Sequence, residues 1–203
     1  LLNKGLRIAT APTARNRLTE FIQTRKPEAF ATCTDRIGWH GGAFVLPLMT
    51  IGDDAERVVF QSENQMENTF RQKRDVADWV ARIGARCVGN SRLSFAVACA
   101  FAGPLLRPGG MESGGFHFRG DSSSGKTTAL RLAASVYGGQ SYMQRWRTTD
   151  NALEAIAAQH CDGLLILDEL AQVEGKVAGE CAYMLANEQS KARATRNGAP
   201  RAR

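Results

Sequence analysis

The sequence lacks several features that would assign it to a particular class of protein. Its five cysteines are an odd number and include no Cys-x-x-Cys pair, a pattern that suits neither a disulfide framework nor a zinc site. Its three histidines are isolated along the chain and do not have the spacing of metal ligands. We therefore expect reduced cysteines that pack as small hydrophobic residues, in a cytoplasmic protein.

Long apolar segments are also missing. The longest apolar stretch runs from Leu93 to Leu106 and contains Gly103-Pro104, and it is shorter than the roughly 20 residues of a membrane-spanning helix. No charged segment followed by an apolar one opens the chain. These absences predict no membrane partner. The chain begins at Leu1 without a methionine, so we expect it to be part of a longer protein.

Positive charge exceeds negative charge, with a formal net charge of +6. Two basic regions account for the excess. The first contains Lys191, Arg193, Arg196, Arg201 and Arg203, and the second contains Arg71, Lys73, Arg74, Arg82, Arg86 and Arg92, tempered by Asp75 and Asp78. Such regions attract polyanions. For the second region, a solvated helix surface is an equally good interpretation.

The pattern of residues 1–106 predicts a small α+β module. A short helix ends before Pro27, and two apolar runs around Gly41-Gly42 predict a hairpin. Val58–Phe60 reads as a third strand. Two helices follow, over 75–88 and 91–102, and the second is apolar nearly all round, so we expect it to be buried.

Residues 107–203 alternate between strand and helix patterns after a glycine-rich junction at 107–115. This order predicts a three-layer α/β domain built on a parallel sheet, and we expect its last part to lie beyond Arg203. The predicted strands are Phe116–Phe118, 142–146 and the aliphatic run 164–167. The predicted helices are 126–137, closed by Gly138-Gly139, 151–160, capped by Asn151 with Glu154, and one around Val177 to Leu185.

A phosphate-binding loop occupies residues 120–127, which read GDSSSGKT and match GxxxxGK[ST]. Gly120 and Gly125 permit the close backbone approach that lets N–H groups converge on a triphosphate. Lys126 is expected to reach the β- and γ-phosphates of ATP, and the Thr127 hydroxyl to ligate Mg²⁺. A glycine- and serine-rich turn before a helix is the alternative. The other predicted nucleotide-binding residues are Asp121, Ser122, Ser123, Ser124 and Thr128.

Two acids, Asp168 and Glu169, end the aliphatic run. Asp168 is expected to hold Mg²⁺, directly or through water, and Glu169 to activate the attacking water. The start of a polar loop is the alternative interpretation. One strand and two helices separate the acids from the phosphate loop, and this spacing resembles the ATPase branch of P-loop proteins that has a catalytic glutamate beside the metal aspartate. Glu169 counts against a small-molecule kinase.

Several longer stretches of the sequence form a pattern that covers nearly the whole chain. They are 38–40 with 44–47, 115–120 with 123–128 around the loop, 146–147 with 149–151, 162–169 and 182–187. The loop motifs are generic, whereas the Trp-Arg…Thr-Asp-Asn and Met-Leu-Ala-Asn stretches are more particular. Together these stretches resemble a bacterial family called domain of unknown function nine-two-seven.

The resemblance implies a helicase-like ATPase of phage, plasmid and integrative elements, whose ATP hydrolysis is coupled to DNA unwinding or translocation. It also implies a homo-oligomeric ring, and a primase-type domain in the full-length protein. An arginine that completes a neighbour's site would be Arg193 or Arg196, with a plain basic surface as the alternative. Two other functions stay open: a nucleotide-dependent switch or assembly ATPase that does not act on DNA, and a phosphotransferase.

Overall fold

The computed structural model describes residues 11–62, 67–146, 150–170 and 173–186. The chain divides into two units, Leu1–Thr32 and Cys33–Arg203. In the first unit, helix α1 spans Pro12–Thr24 and has proline in its first turn, where the missing N–H costs nothing. The helix ends before Pro27, as predicted.

A three-stranded antiparallel sheet lies near the start of the second unit. It consists of β2 (Gly38–His40), β3 (Ala43–Val45) and β4 (Thr50–Gly52), in that order. The first two strands confirm the hairpin that was predicted around Gly41-Gly42, with Trp39 opposite Phe44. The predicted strand Val58–Phe60 is β5, and it pairs with β1 (Thr32–Thr34).

Two helices follow, each capped by a polar side chain. Helix α2 spans Val76–Arg82, and the Asp75 carboxylate accepts a hydrogen bond from the Asp78 N–H at 2.8 Å. Helix α3 spans Ser91–Leu106 and is capped by Asn90. It continues through Pro104, four residues past the predicted end.

The expectation that α3 is buried all round is wrong. Its buried residues are Ala96, Ala100 and Gly103, all on one face, whereas Phe95 is 41% and Phe101 52% exposed. A uniformly apolar sequence does not show which face of a helix the rest of the chain covers, because every face carries the same signal.

The remaining helices are α4 (Lys126–Ala134), α5 (Asp150–Ala158) and α6 (Gly175–Ala186). Strands β6 (Gln144–Arg145) and β7 (Leu167–Asp168) flank α5 and pair in parallel. Parallel neighbours require such a crossover, so this β-α-β order agrees with the alternation in the sequence. Both strands are shorter than predicted, and Tyr142 lies in a 3₁₀ turn.

The prediction of a strand at Phe116–Phe118 is wrong. Within the described residues this segment has no strand partner and no regular secondary structure. Phe116 and Phe118 instead pack against Phe95 of α3, with ring centroids 4.8 and 6.3 Å apart. Alternating Phe-His-Phe satisfies the period of a strand, but a strand also needs a neighbour to receive its backbone hydrogen bonds.

The core of the second unit forms where α3 packs against α4. Alanines fill both faces, so the two helices approach closely. The Tyr142 hydroxyl, fully buried in this core, donates to the Leu164 carbonyl at 2.6 Å. The same core therefore holds α4 and the segment that leads into β7. The buried residues of this cluster are Ala96, Ala100, Ala129, Ala133, Ala134, Tyr142 and Ile166.

A carboxylate connects the antiparallel sheet to the turn before β7. Asp162 Oδ2 accepts hydrogen bonds from the Trp39 N–H at 2.8 Å and from Arg107 Nη1 at 3.2 Å. The Trp39 ring nitrogen also donates to the Pro104 carbonyl at 2.6 Å. The sheet, the end of α3 and the approach to β7 are thus fixed together within the second unit.

The protein has a mixed α/β fold with small parallel and antiparallel sheets. Among the described helices, none combines the length and the apolarity that crossing a membrane requires. The domain boundary between residues 106 and 107 stays a prediction.

We expect stability to fall as the pH drops, because His160 is buried against Tyr142. Its Nδ1 hydrogen bonds to the Ile156 carbonyl at 2.7 Å, and desolvation lowers the pKa of the ring below its ordinary 6.5. The unfolded chain therefore binds more protons below pH 6.5 than the folded one, so acidification favours unfolding. Urea titrations at pH about 8 and about 5.5 measure the change.

The matched variants are His160→Gln and His117→Gln, since His117 is exposed. His160→Gln should weaken the dependence of the unfolding free energy on pH, whereas His117→Gln should leave it as in the parent protein. Equal pH dependence in all three proteins would contradict this role of the buried ring.

Candidate functional site

The residues 120–127 form a loop that ends on the first turn of α4. Gly125 is the residue before the helix and has a φ of 87°, and Ser123 has a φ of 60°. Glycine adopts this left-handed region at no steric cost, which accounts for Gly125. A side chain on Gly120 would meet Ser124 Oγ at 3.0 Å, so that glycine allows the loop to close tightly.

The Lys126 ammonium lies across this loop. Its Nζ donates to the carbonyls of Gly120 and Asp121 at 2.8 and 2.6 Å, and lies 3.3 Å from Ser124 Oγ. The Ser124 N–H also donates a hydrogen bond to the Asp121 carbonyl at 3.3 Å. The cation therefore holds the two ends of the loop together.

The first turn of α4 has the general features that favour anions at the start of a helix. Gly125 has no side chain that could accept a hydrogen bond from this turn. The N–H groups at the start of a helix have no partner within the helix, and the helix dipole makes this end positive. An anion held by the loop would therefore meet backbone donors as well as Lys126.

Thr127 and Asp168 are in direct contact. The Thr127 hydroxyl donates to Asp168 Oδ2 at 3.2 Å, although the two residues are 41 positions apart. The other carboxylate oxygen, Oδ1, accepts the N–H of Glu169 at 2.8 Å. The structure thus brings together the two residues that the sequence predicted as metal ligands.

Glu169 follows directly and has an uncommon backbone conformation. Its φ is 64°, in the left-handed region that few residues other than glycine adopt. The Asp168 carboxylate holds this conformation through the Glu169 N–H. Such outliers concentrate at functional sites, and this one follows the residue that contacts Thr127.

A cleft of about 380 Å³ opens beside these residues. Three of the predicted site residues line it: Thr127, Asp168 and Glu169. The other predicted residues, 120–126 and Thr128, lie in the loop and in the first turn of α4, outside the lining. The residues that were predicted to bind the metal and to activate water therefore line the cleft. The predicted phosphate-binding loop lies next to it.

Sequence reasoning missed five residues of the cleft. Arg131 lies four residues after Thr127, so a helical spacing could have placed it on the same face. Arg145 could have been found only from the register of the parallel strands, where it is opposite Asp168. The remaining residues carry no motif that would single them out; they are Gln140, Met143 and Gln144.

The oxygen ligands at the cleft suit magnesium. A hydroxyl and a carboxylate are hard ligands, and Mg²⁺ in phosphate-binding proteins commonly takes one or two such groups and completes its shell with water and phosphate. The described residues contain no group of three or more His, Cys, Asp or Glu side chains that could hold a metal. One hydroxyl and one carboxylate, as at Thr127 and Asp168, are ligands that could hold a Mg²⁺ ion together with a phosphate.

Some predicted residues lie outside the described part of the chain. Arg147, Thr149 and Asn187 are among them, as are all five residues of the basic region after position 190. Helix α5 begins at Asp150, so Asn151 is within its first turn rather than before it, and its side chain also lies outside the description.

Comparison with protein-family models assigns the chain to a family. The family model described as "Domain of unknown function (DUF927)" matches residues 1–203. No curated protein matches the chain. The family match agrees with the resemblance drawn from the motifs, and its description assigns no activity.

Proposed function

We propose that this chain, which belongs to the DUF927 family, binds ATP and hydrolyses it with Mg²⁺. The observation that carries the proposal is the hydrogen bond between Thr127 and Asp168. It joins the end of a GxxxxGK[ST] loop to the acidic end of a parallel strand, which is the pairing of residues that holds Mg²⁺ in P-loop NTPases. A glycine-rich turn with no such role gives no reason for the contact.

The proposed binding step uses the loop and the start of α4. Lys126 is tied to carbonyl oxygens of its own loop, and a triphosphate offers it charged oxygens instead, which form stronger hydrogen bonds. The first-turn N–H groups would add donors to the same phosphates. This part of the proposal concerns Gly120 to Thr128.

The proposed hydrolysis uses the two acids at the end of β7. Mg²⁺ held at Thr127 and Asp168 would neutralise charge that develops on the phosphates. The Glu169 carboxylate lines the same cleft and would accept a proton from the attacking water. We include the P-loop fold in the same proposal. In that fold, further strands would continue the parallel sheet of β6 and β7.

A DNA substrate is the next part of the proposal. Arg71, Lys73, Arg86 and Arg92 are exposed, whereas Arg74 and Arg82 both pair with Asp78. Exposed cations of this number attract a nucleic-acid backbone. Together with the family resemblance, they favour a cytoplasmic helicase-like ATPase that acts as a ring in mobile-element replication.

Replacing the loop lysine should remove nucleotide binding. Lys126→Ala loses a charge-assisted contact to the phosphates, so its Kd for ATP with Mg²⁺ should rise by at least about ten-fold. Lys73→Ala, an exposed lysine away from the loop, is the control and should bind as the parent does. Calorimetry with purified protein measures both, and unchanged affinity in Lys126→Ala would refute the phosphate-loop assignment.

Removing the proposed base should separate binding from turnover. Glu169→Gln keeps the size of the side chain but cannot accept the proton, so kcat should fall by about a hundred- to ten-thousand-fold with the Kd for ATP unchanged. Glu112→Gln, an exposed residue outside the cleft, should retain full turnover. If Glu169→Gln hydrolyses ATP at the parent rate, Glu169 is not the base.

DNA should accelerate hydrolysis by the full-length protein if the two are coupled. Binding to single-stranded DNA should weaken with salt, with a logarithmic slope of about 0.7 per phosphate contact. A hydrolysis rate that is the same with and without DNA would exclude the motor function. It would leave the nucleotide-dependent switch or assembly ATPase as the function of the same loop.

A further inference from the structure

The cleft beside Thr127 carries two positive charges that the proposed hydrolysis does not use. Arg131 of α4 and Arg145 of β6 both line it, together with Asp168 and Glu169. Both arginines are exposed. In the part of the chain that the structure describes, neither guanidinium has an ion pair or a hydrogen bond, although acids lie in the same cleft.

The helix directs Arg131 toward the predicted metal residues. Residues four apart share one face of a helix, and their side chains tilt toward its N-terminus. The Arg131 side chain therefore extends back over Thr127, the residue whose hydroxyl contacts Asp168. Its charge lies on the same side of α4 as the predicted metal ligand.

The strand register directs Arg145 to the same place. Arg145 is directly opposite Asp168 in the parallel pair, and opposed residues project from the same face of a sheet. The two oxygens of Asp168 already accept hydrogen bonds from Thr127 and from the Glu169 N–H. Arg145 lies opposite this carboxylate, and the structure records no ion pair between the two side chains.

We propose that Arg131 and Arg145 form a terminal-phosphate subsite, in which two guanidinium groups of this chain bind the γ-phosphate of ATP and let the site distinguish ATP from ADP. The inference rests on the proposed ATP-binding function and adds residues to it. Lys126 and the first turn of α4 hold the phosphates from the loop side, and the arginines hold the last phosphate from the cleft side. Guanidinium suits this task because it binds phosphate oxygens in a bidentate manner.

The experiment compares two nucleotides on the full-length protein. The probes are ADP and a non-hydrolysable ATP analogue, each with Mg²⁺, and the variants are Arg131→Ala and Arg145→Ala. Each variant should raise the Kd of the ATP analogue by about ten- to a hundred-fold and that of ADP by less than about two-fold. Arg145→Lys keeps the charge but not the bidentate contact, so it should fall between Arg145→Ala and the parent.

Arg57→Ala is the matched control, since Arg57 is exposed, belongs to neither basic region and is not part of the cleft. It should leave both Kd values unchanged. Equal weakening of ADP and of the ATP analogue by Arg131→Ala or Arg145→Ala would overturn the subsite, because a γ-phosphate contact cannot act on ADP.

Two further outcomes separate this inference from the function on which it rests. Unchanged affinity for both nucleotides in the arginine variants, while Lys126→Ala loses both, would overturn the subsite and leave ATP binding intact. Unchanged affinity for both nucleotides together with weaker binding of single-stranded DNA would assign the arginines to a nucleic-acid phosphate. That outcome would also overturn the subsite. A parent protein that binds neither nucleotide would overturn the function and the subsite together.

Discussion

The hydrogen bond from the Thr127 hydroxyl to the Asp168 carboxylate joins the start of α4 to the end of β7. The loop carries hydrogen-bond donors and the strand end carries acceptors, so neither element alone could hold both a phosphate and its cation. Their contact places the strand end at the cleft and the loop beside it. The backbone at Glu169 depends on the same carboxylate, since the other oxygen of Asp168 holds the Glu169 N–H.

The contact is positioned by packing rather than by the polar groups themselves. Alanines at the α3–α4 interface, with Ala100 and Ala134 fully buried, fix the helix that carries Thr127. The Tyr142 hydroxyl holds the Leu164 carbonyl, three residues before β7 begins. Burial raises the pKa of Tyr142, so this hydroxyl keeps its proton and remains a donor at any ordinary pH.

Local sequence patterns were sufficient for the elements whose determinants are local. The hairpin at β2–β3 follows from a Gly-Gly turn between apolar runs, and the loop before α4 follows from a glycine- and serine-rich motif that precedes a helical pattern. The prediction of a strand at Phe116–Phe118 is wrong because a strand depends on a partner elsewhere in the chain. Arg145 was missed for the same reason, since its place in the cleft comes from the register with β7.

Lys126 holds the loop through contacts that the proposed ATP binding would have to replace. The ammonium satisfies its hydrogen bonds with the Gly120 and Asp121 carbonyls, so the loop is closed on itself by its own cation. In the proposed binding of ATP, a triphosphate would take over these bonds, because bonds between two charged groups are stronger than bonds from a cation to a neutral carbonyl. The released carbonyls would then face water at an exposed loop, where they are readily solvated. The contacts of Lys126 that hold the loop in shape are therefore compatible with the proposed exchange.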